Sequence, residues 1–104
     1  MEELSGAEMA EMIEEAIIDA HDYAEQLMGL EAALEESLAT PFETKVLGVT
    51  VTVESVSYQN GAIGAHCVRG DHQQVISLMD LPLPEPPPEG WEWIAAYRYW
   101  ASRQ

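Results

Sequence analysis

Carboxylates are the reactive groups this chain holds in excess. Thirteen precede the first basic residue, Lys45: Glu2, Glu3, Glu8, Glu11, Glu14, Glu15, Asp19, Asp22, Glu25, Glu31, Glu35, Glu36 and Glu43. On a helix, Glu8, Glu11, Glu15, Asp19 and Asp22 fall three or four residues apart along one face, where each like-charge neighbour opposes the helix by about 0.2–0.5 kcal/mol. Three agents could relieve that field: solvent with monovalent salt, a divalent cation, or a basic partner whose nucleic acid the surface imitates. Calcium takes about six to eight oxygens at roughly 2.3–2.6 Å, and no loop of the Asp-x-Asp-x-Asp-Gly type supplies them in sequence order. The ligands must then come together in space. Asp19, Asp22 and Glu25 before Gly29, with Glu35 and Glu36 after it, are best placed for this if the chain folds back at Gly29. So open a site predicts weak affinity, about 10⁻⁵ to 10⁻³ M. The competing reading is a solvated acidic face that confers solubility.

Other chemistry finds little support. His21, His66 and His72 are well separated, and strand alternation puts His66 and its neighbour Cys67 on opposite faces, against a zinc or Cys-His centre. Glu35 and Glu36 diverge around a helix axis and do not form an acid/base pair. No nucleophile elbow, phosphate loop or dinucleotide fingerprint is present, so no enzyme is expected. The net charge of -15, with four Lys and Arg in 104 residues, excludes direct binding to nucleic acid or an anionic membrane. Calcium ions or a basic protein are the natural partners. A lone cysteine, an acidic amino terminus and the lack of any apolar run near ~20 residues predict a soluble cytoplasmic protein without a membrane span.

The elements that must position these groups follow from the pattern. A 47% hydrophobic content with three Trp and four Tyr predicts one packed domain. Ser5 and Glu8 match a capping box, and Met9, Ile13, Ala16, Ala20, Tyr23 and Leu27 keep helical spacing, which predicts one long amphipathic helix. Gly29 reads as its C-cap or kink, after which Leu30, Ala33, Leu34 and Leu38 continue to Pro41, giving a helical region of about 5–40. Val49, Val51 and Val53 then alternate with polar residues as a strand. Asn60-Gly61 supplies a tight hairpin to a second strand over Ala62–Val68, and Arg69-Gly70-Asp71 a turn to a third from His72 to Met79. This sheet region, about 42–81, meets a Pro-rich connector at 82–90 that is a spacer or docking strip. A short helix at about 91–101 closes the core. Part of its aromatic set, Trp91, Trp93, Tyr97, Tyr99 and Trp100, is left over for a partner-binding patch. The order of elements predicts an α+β fold with the strands curled into a small, partly closed antiparallel barrel.

One stretch, from Ile17 to Phe42, is specific enough to compare with a family. Ile17-Ile18-Asp19-Ala20-His21-Asp22-Tyr23, Glu25-Gln26-Leu27-Met28-Gly29, Leu34-Glu35-Glu36-Ser37-Leu38 and Thr40-Pro41-Phe42 resemble the amino-terminal signature of the CcbP-type calcium-binding proteins of cyanobacteria. Ala96-Tyr97-Arg98-Tyr99-Trp100 is similar to the aromatic helix that ends them. The resemblance implies amino-terminal helices on a small SH3-like barrel, and calcium bound by an acidic surface in which carboxylates of the helical region are prominent. Leu30-Glu31-Ala32-Ala33 replaces the Trp-Tyr cluster usual after the glycine, and Glu35-Glu36 stands where a Glu-Asp pair is expected, which changes the reach of the acids. The function read from the sequence is therefore calcium buffering or sensing. Its alternative is an acidic inhibitor, encoded by a phage or mobile element, that occupies the nucleic-acid groove of a basic target.

Overall fold

Ser5 starts the first helix as the sequence predicts. Its hydroxyl accepts from the Glu8 amide at 3.1 Å while the Glu8 carboxylate accepts from the Ser5 amide at 3.3 Å, so two of the four orphan amides are satisfied reciprocally. The computed structural model describes residues 4–104; Glu2 and Glu3 of the acidic run lie outside the described residues. Helix α1 spans Gly6–Ala16, and α2 spans Tyr23–Ser37.

Two helices precede the sheet, one of the two arrangements expected, but the break between them corrects the expectation that the first helix ends or kinks at Gly29. Ile17 leaves helical geometry, the Ala20 amide closes a tight turn on the Ile17 carbonyl at 2.8 Å, and Asp22 restarts the helix. The Asp22 backbone is extended and its carboxylate accepts from the Glu25 amide at 2.9 Å, an N-cap with a stronger local claim on the chain than helix continuation. Gly29 lies inside α2. A Cβ at that position would sit inside the contact distance of the Ala16 carbonyl oxygen, so the glycine is where the end of α1 meets α2. Leu27, Leu30 and Leu34 form the buried stripe of α2.

Four strands follow: β1 (Phe42–Val46), β2 (Val49–Gln59), β3 (Ala62–Arg69) and β4 (His72–Ser77). They form an antiparallel meander in the order β1-β2-β3-β4. Asn60 and Gly61 both take positive φ (46° and 85°), the condition for a tight two-residue hairpin. β2 carries a bulge between Val53 and Ser55 that leaves Glu54 unpaired and bends the sheet. The α+β class is as expected, but β1 and β4 do not pair, so the sheet is an open meander and not a closed barrel. Closure depends on long-range geometry that period-two patterning does not encode.

The connector and the residues that lead into it from β4 are tied down more firmly than a spacer. Leu78 and Leu81 are buried, the Thr44 hydroxyl donates to the Pro82 carbonyl at 2.6 Å, and the Ala39 amide donates to the Glu89 carbonyl at 2.8 Å. Arg98 donates to the Leu78 carbonyl at 3.0 Å and to the Leu81 carbonyl. Helix α3 (Trp91–Ala101) packs against both α1 and α2; α2 lies across β2 and β3, and α3 reaches β3 through the Tyr97 side chain. Among the described residues no helix is long and apolar enough to cross a membrane.

Candidate functional site

The five carboxylates singled out from the sequence are all exposed and fall into two groups. Asp19 lies in the turn after α1, Asp22 caps α2, and Glu25 stands in the first turn of α2. Glu35 and Glu36 stand in the last turn of the same helix. Because α2 runs unbroken through Gly29, ten residues at about 1.5 Å each separate Glu25 from Glu35 by roughly 15 Å. One calcium ion cannot be shared across that distance. Among the described residues, no three His, Cys, Asp or Glu side chains are grouped to hold a metal ion. The Asp22 carboxylate is also engaged in capping, which leaves it one oxygen fully free for other work.

The local electrostatics nonetheless favour cations at two helix ends. A helix carboxy terminus presents unsatisfied carbonyls and the negative end of the macrodipole, where basic residues normally sit. Neither α1 nor α2 has a basic residue in its last turn. Glu14 and Glu15 occupy that turn in α1, with Asp19 just beyond; Glu35 and Glu36 occupy it in α2. Each such carboxylate is unfavourable by about 0.3–1 kcal/mol at low salt. Glu11, Glu14 and Glu15 also line a shallow concavity along α1 with Ile17 and Ile18.

Some acids have structural work that the sequence reading missed. The Glu31 carboxylate accepts from the Tyr58 amide at 3.0 Å and so ties α2 to β2. The Asp22-x-x-Glu25 spacing was a readable sign of the second helix start.

The aromatic helix is used mainly inward. Trp100 stacks on Tyr23 with ring centroids 5.1 Å apart and donates its indole N–H to the Gln26 side chain at 3.1 Å. The Tyr97 phenolic oxygen accepts from the Ile63 amide at 3.1 Å in the core. Burial pushes the Tyr97 phenol up from its ordinary value, partly opposed by that amide. Tyr99 carries the Arg103 guanidinium 4.2 Å above its ring. His66 faces Gln73 at 3.3 Å while its neighbour Cys67 is buried, on opposite faces as the strand alternation requires.

Fold and surface together define a small acidic α+β protein in which the second of two carboxylate-rich helices packs on an antiparallel meander and an aromatic helix completes the core. The fold is CcbP-like: the crystal structure of Anabaena CcbP matches with a TM-score of 0.72 over 96% of this chain and 94% of that one, at 22% sequence identity. No family model and no curated protein sequence matches the chain.

Proposed function

We propose that the protein binds calcium weakly, at sites that form when the ion arrives, at the carboxy-terminal ends of the two acidic helices. The observation that carries this reading is the gathering of carboxylates at two helix carboxy-terminal ends that hold no basic residue, on a fold shared with CcbP along nearly the whole chain. Asp19, Asp22 and Glu25, with Glu14 and Glu15 near them in sequence, are the proposed ligands of one locus; Glu35 and Glu36 are those of the other. Glu35 and Glu36 carry four carboxylate oxygens, fewer than calcium's usual shell, and among the described residues the acids of the first locus are not grouped in advance, so water completes the coordination and the affinity falls in the sub-millimolar to millimolar range, about 10⁻⁴ to 10⁻³ M. Such a protein buffers or senses calcium and catalyses nothing.

Calorimetric titration with calcium and with magnesium is the test, run beside melting curves at matched ionic strength in NaCl. Calcium should raise the melting temperature more than the NaCl control, with reversal by chelator. Asp22→Asn keeps a competent N-cap while removing the charge, and Glu35→Gln with Glu36→Gln clears the second locus. The two changes should each remove part of the calcium heat. Equal effects of calcium and ionic-strength-matched NaCl would reject the reading.

Among the described residues the acids are spread along two helices with no three grouped, an arrangement that suits a second reading, in which the acidic helices dock on a basic protein. Such binding weakens steeply with ionic strength and needs no calcium. Capture of a basic target at low salt in the presence of chelator, lost at high salt, would select it.

A further inference from the structure

The sheet leaves one end of its inner face uncovered by the helices and the connector. Val53, Ala65 and Cys67 are buried, which marks the core face, and alternate residues along each strand share it. Through the pairs Val46↔Val49, Arg69↔His72 and Cys67↔Gln74, that face runs outward past the helices and past Thr44, which is buried where its hydroxyl meets Pro82. A cleft of about 440 Å³ opens there, between the β1–β2 hairpin and β4. Its aliphatic side chains are those of Val46, Leu47, Val49, Val51 and Ile76, with Gln74 beside them. Leu47 is 99% exposed at the hairpin tip with φ 52°, an unusual conformation and position for a bulky apolar residue. Arg69 and His72 complete the mouth, and no lining residue is acidic although the chain carries 19 acids.

We propose that this cleft is a binding site for an amphipathic anion, an aliphatic chain bearing one carboxylate. The volume lies within the range of small-molecule pockets, roughly 300–1,000 Å³. The aliphatic wall takes the chain, the Arg69 guanidinium pairs with the carboxylate, and the His72 imidazole adds a ring N–H donor. Charge favours this occupant: a net charge of -15 repels an anion elsewhere, and this mouth joins a cation to apolar groups with no acid in its lining, whereas the cleft beside Lys45 also holds Glu43 and Glu85. A second copy docked mouth to mouth would bring two Arg69 side chains together. The site is independent of the calcium reading and stands or falls separately.

Titration of the isotopically labelled, calcium-free protein with decanoate below its micellar concentration tests the proposal by amide shifts. Shifts should concentrate in residues 46–51 and 67–76. Decanol and acetate, which lack the charge or the chain, should bind about tenfold more weakly, as should decanoate to Arg69→Gln. Val49→Asp, on a part-exposed strand position, should abolish binding with a native spectrum. Absence of shifts at the mouth, shifts spread over the acidic helices, or undiminished binding by Arg69→Gln would overturn it. So would shifts of the same amides on dilution without ligand, which assign the cleft to a second copy, or with a Glu-Leu peptide when decanoate has no effect.

Discussion

Asp22 shows why a residue type does not announce its role. Its carboxylate starts a helix through the Glu25 amide, and the same group belongs to the acidic run that invites a cation. Charge and capping can be separated by substitution, because asparagine caps as well as aspartate. Tyr97 offers a sharper prediction at this scale. Its phenolic oxygen is the acceptor for the Ile63 amide at the start of β3, in the core. Tyr97→Phe keeps the ring and orphans that amide, so it should lower stability by about 1–3 kcal/mol in denaturant unfolding. The phenol also sets an alkaline limit. Its folded pKa is raised above the ordinary 10.0 by burial, and that of the Cys67 thiol above 9.0 for the same reason. A group raised in the folded state contributes stability that is intact below its unfolded value and lost as pH rises through the folded one. Stability should therefore decline from about pH 9 upward, and Tyr97→Phe should flatten the part of that decline above pH 10; unfolding curves at stepped pH read both.

Helix and strand boundaries were legible wherever a short-range signal decided them. The Ser5 capping box, the Asn60-Gly61 hairpin, the turn after Arg69 and the start of the last helix at Trp91 all lie where local chemistry puts them. Gly29 was misread because its role is tertiary. As an interior helix glycine it costs about 1 kcal/mol relative to alanine, too little to stop a helix whose Leu27, Leu30 and Leu34 are buried on either side. The break fell instead at Ile17–Asp22, where a second capping signal outcompeted continuation. Moving that break by several residues dispersed the expected five-carboxylate site, since Glu35 and Glu36 ride one straight helix away from Asp22. Gly29→Ala makes the distinction measurable. Helix propensity predicts a gain near 1 kcal/mol, whereas a Cβ against the Ala16 carbonyl predicts overpacking at a cost of about 1–3 kcal/mol. The contact should win, and the melting temperature should fall. The unpaired β1 and β4 were beyond the sequence for a related reason: alternation fixes which face is apolar, not how far a bent sheet curls.

Charge is the property that belongs to the molecule as a whole. A net -15 on 104 residues creates self-repulsion that the compact state must bear, and it is concentrated on the helical arm. Glu8 to Glu11, Glu11 to Glu14 and Glu11 to Glu15 are like-charge neighbours on α1, worth together about 1 kcal/mol against it at low salt. The four Lys and Arg give little relief there: Lys45 and Arg69 stand on the strands, Arg98 is committed to the Leu78 and Leu81 carbonyls, and Arg103 lies over Tyr99. Simple electrolyte should then stabilise the fold with no specific site involved, because the screening length shrinks from about 30 Å at 0.01 M to about 3 Å at 1 M. The melting temperature should climb with NaCl across that range and level off once neighbouring glutamates are screened. Glu11→Gln removes the residue common to all three pairs, so it should raise stability at low salt by up to about 1 kcal/mol and shallow the salt dependence. Calcium acting only as ionic strength would track the NaCl curve in wild type and variant alike. Calcium held at the helix ends would instead keep its excess effect in Glu11→Gln, because that residue stands a turn away from the last carbonyls of α1. A melting temperature that falls with NaCl would show that attraction, not repulsion, governs this surface.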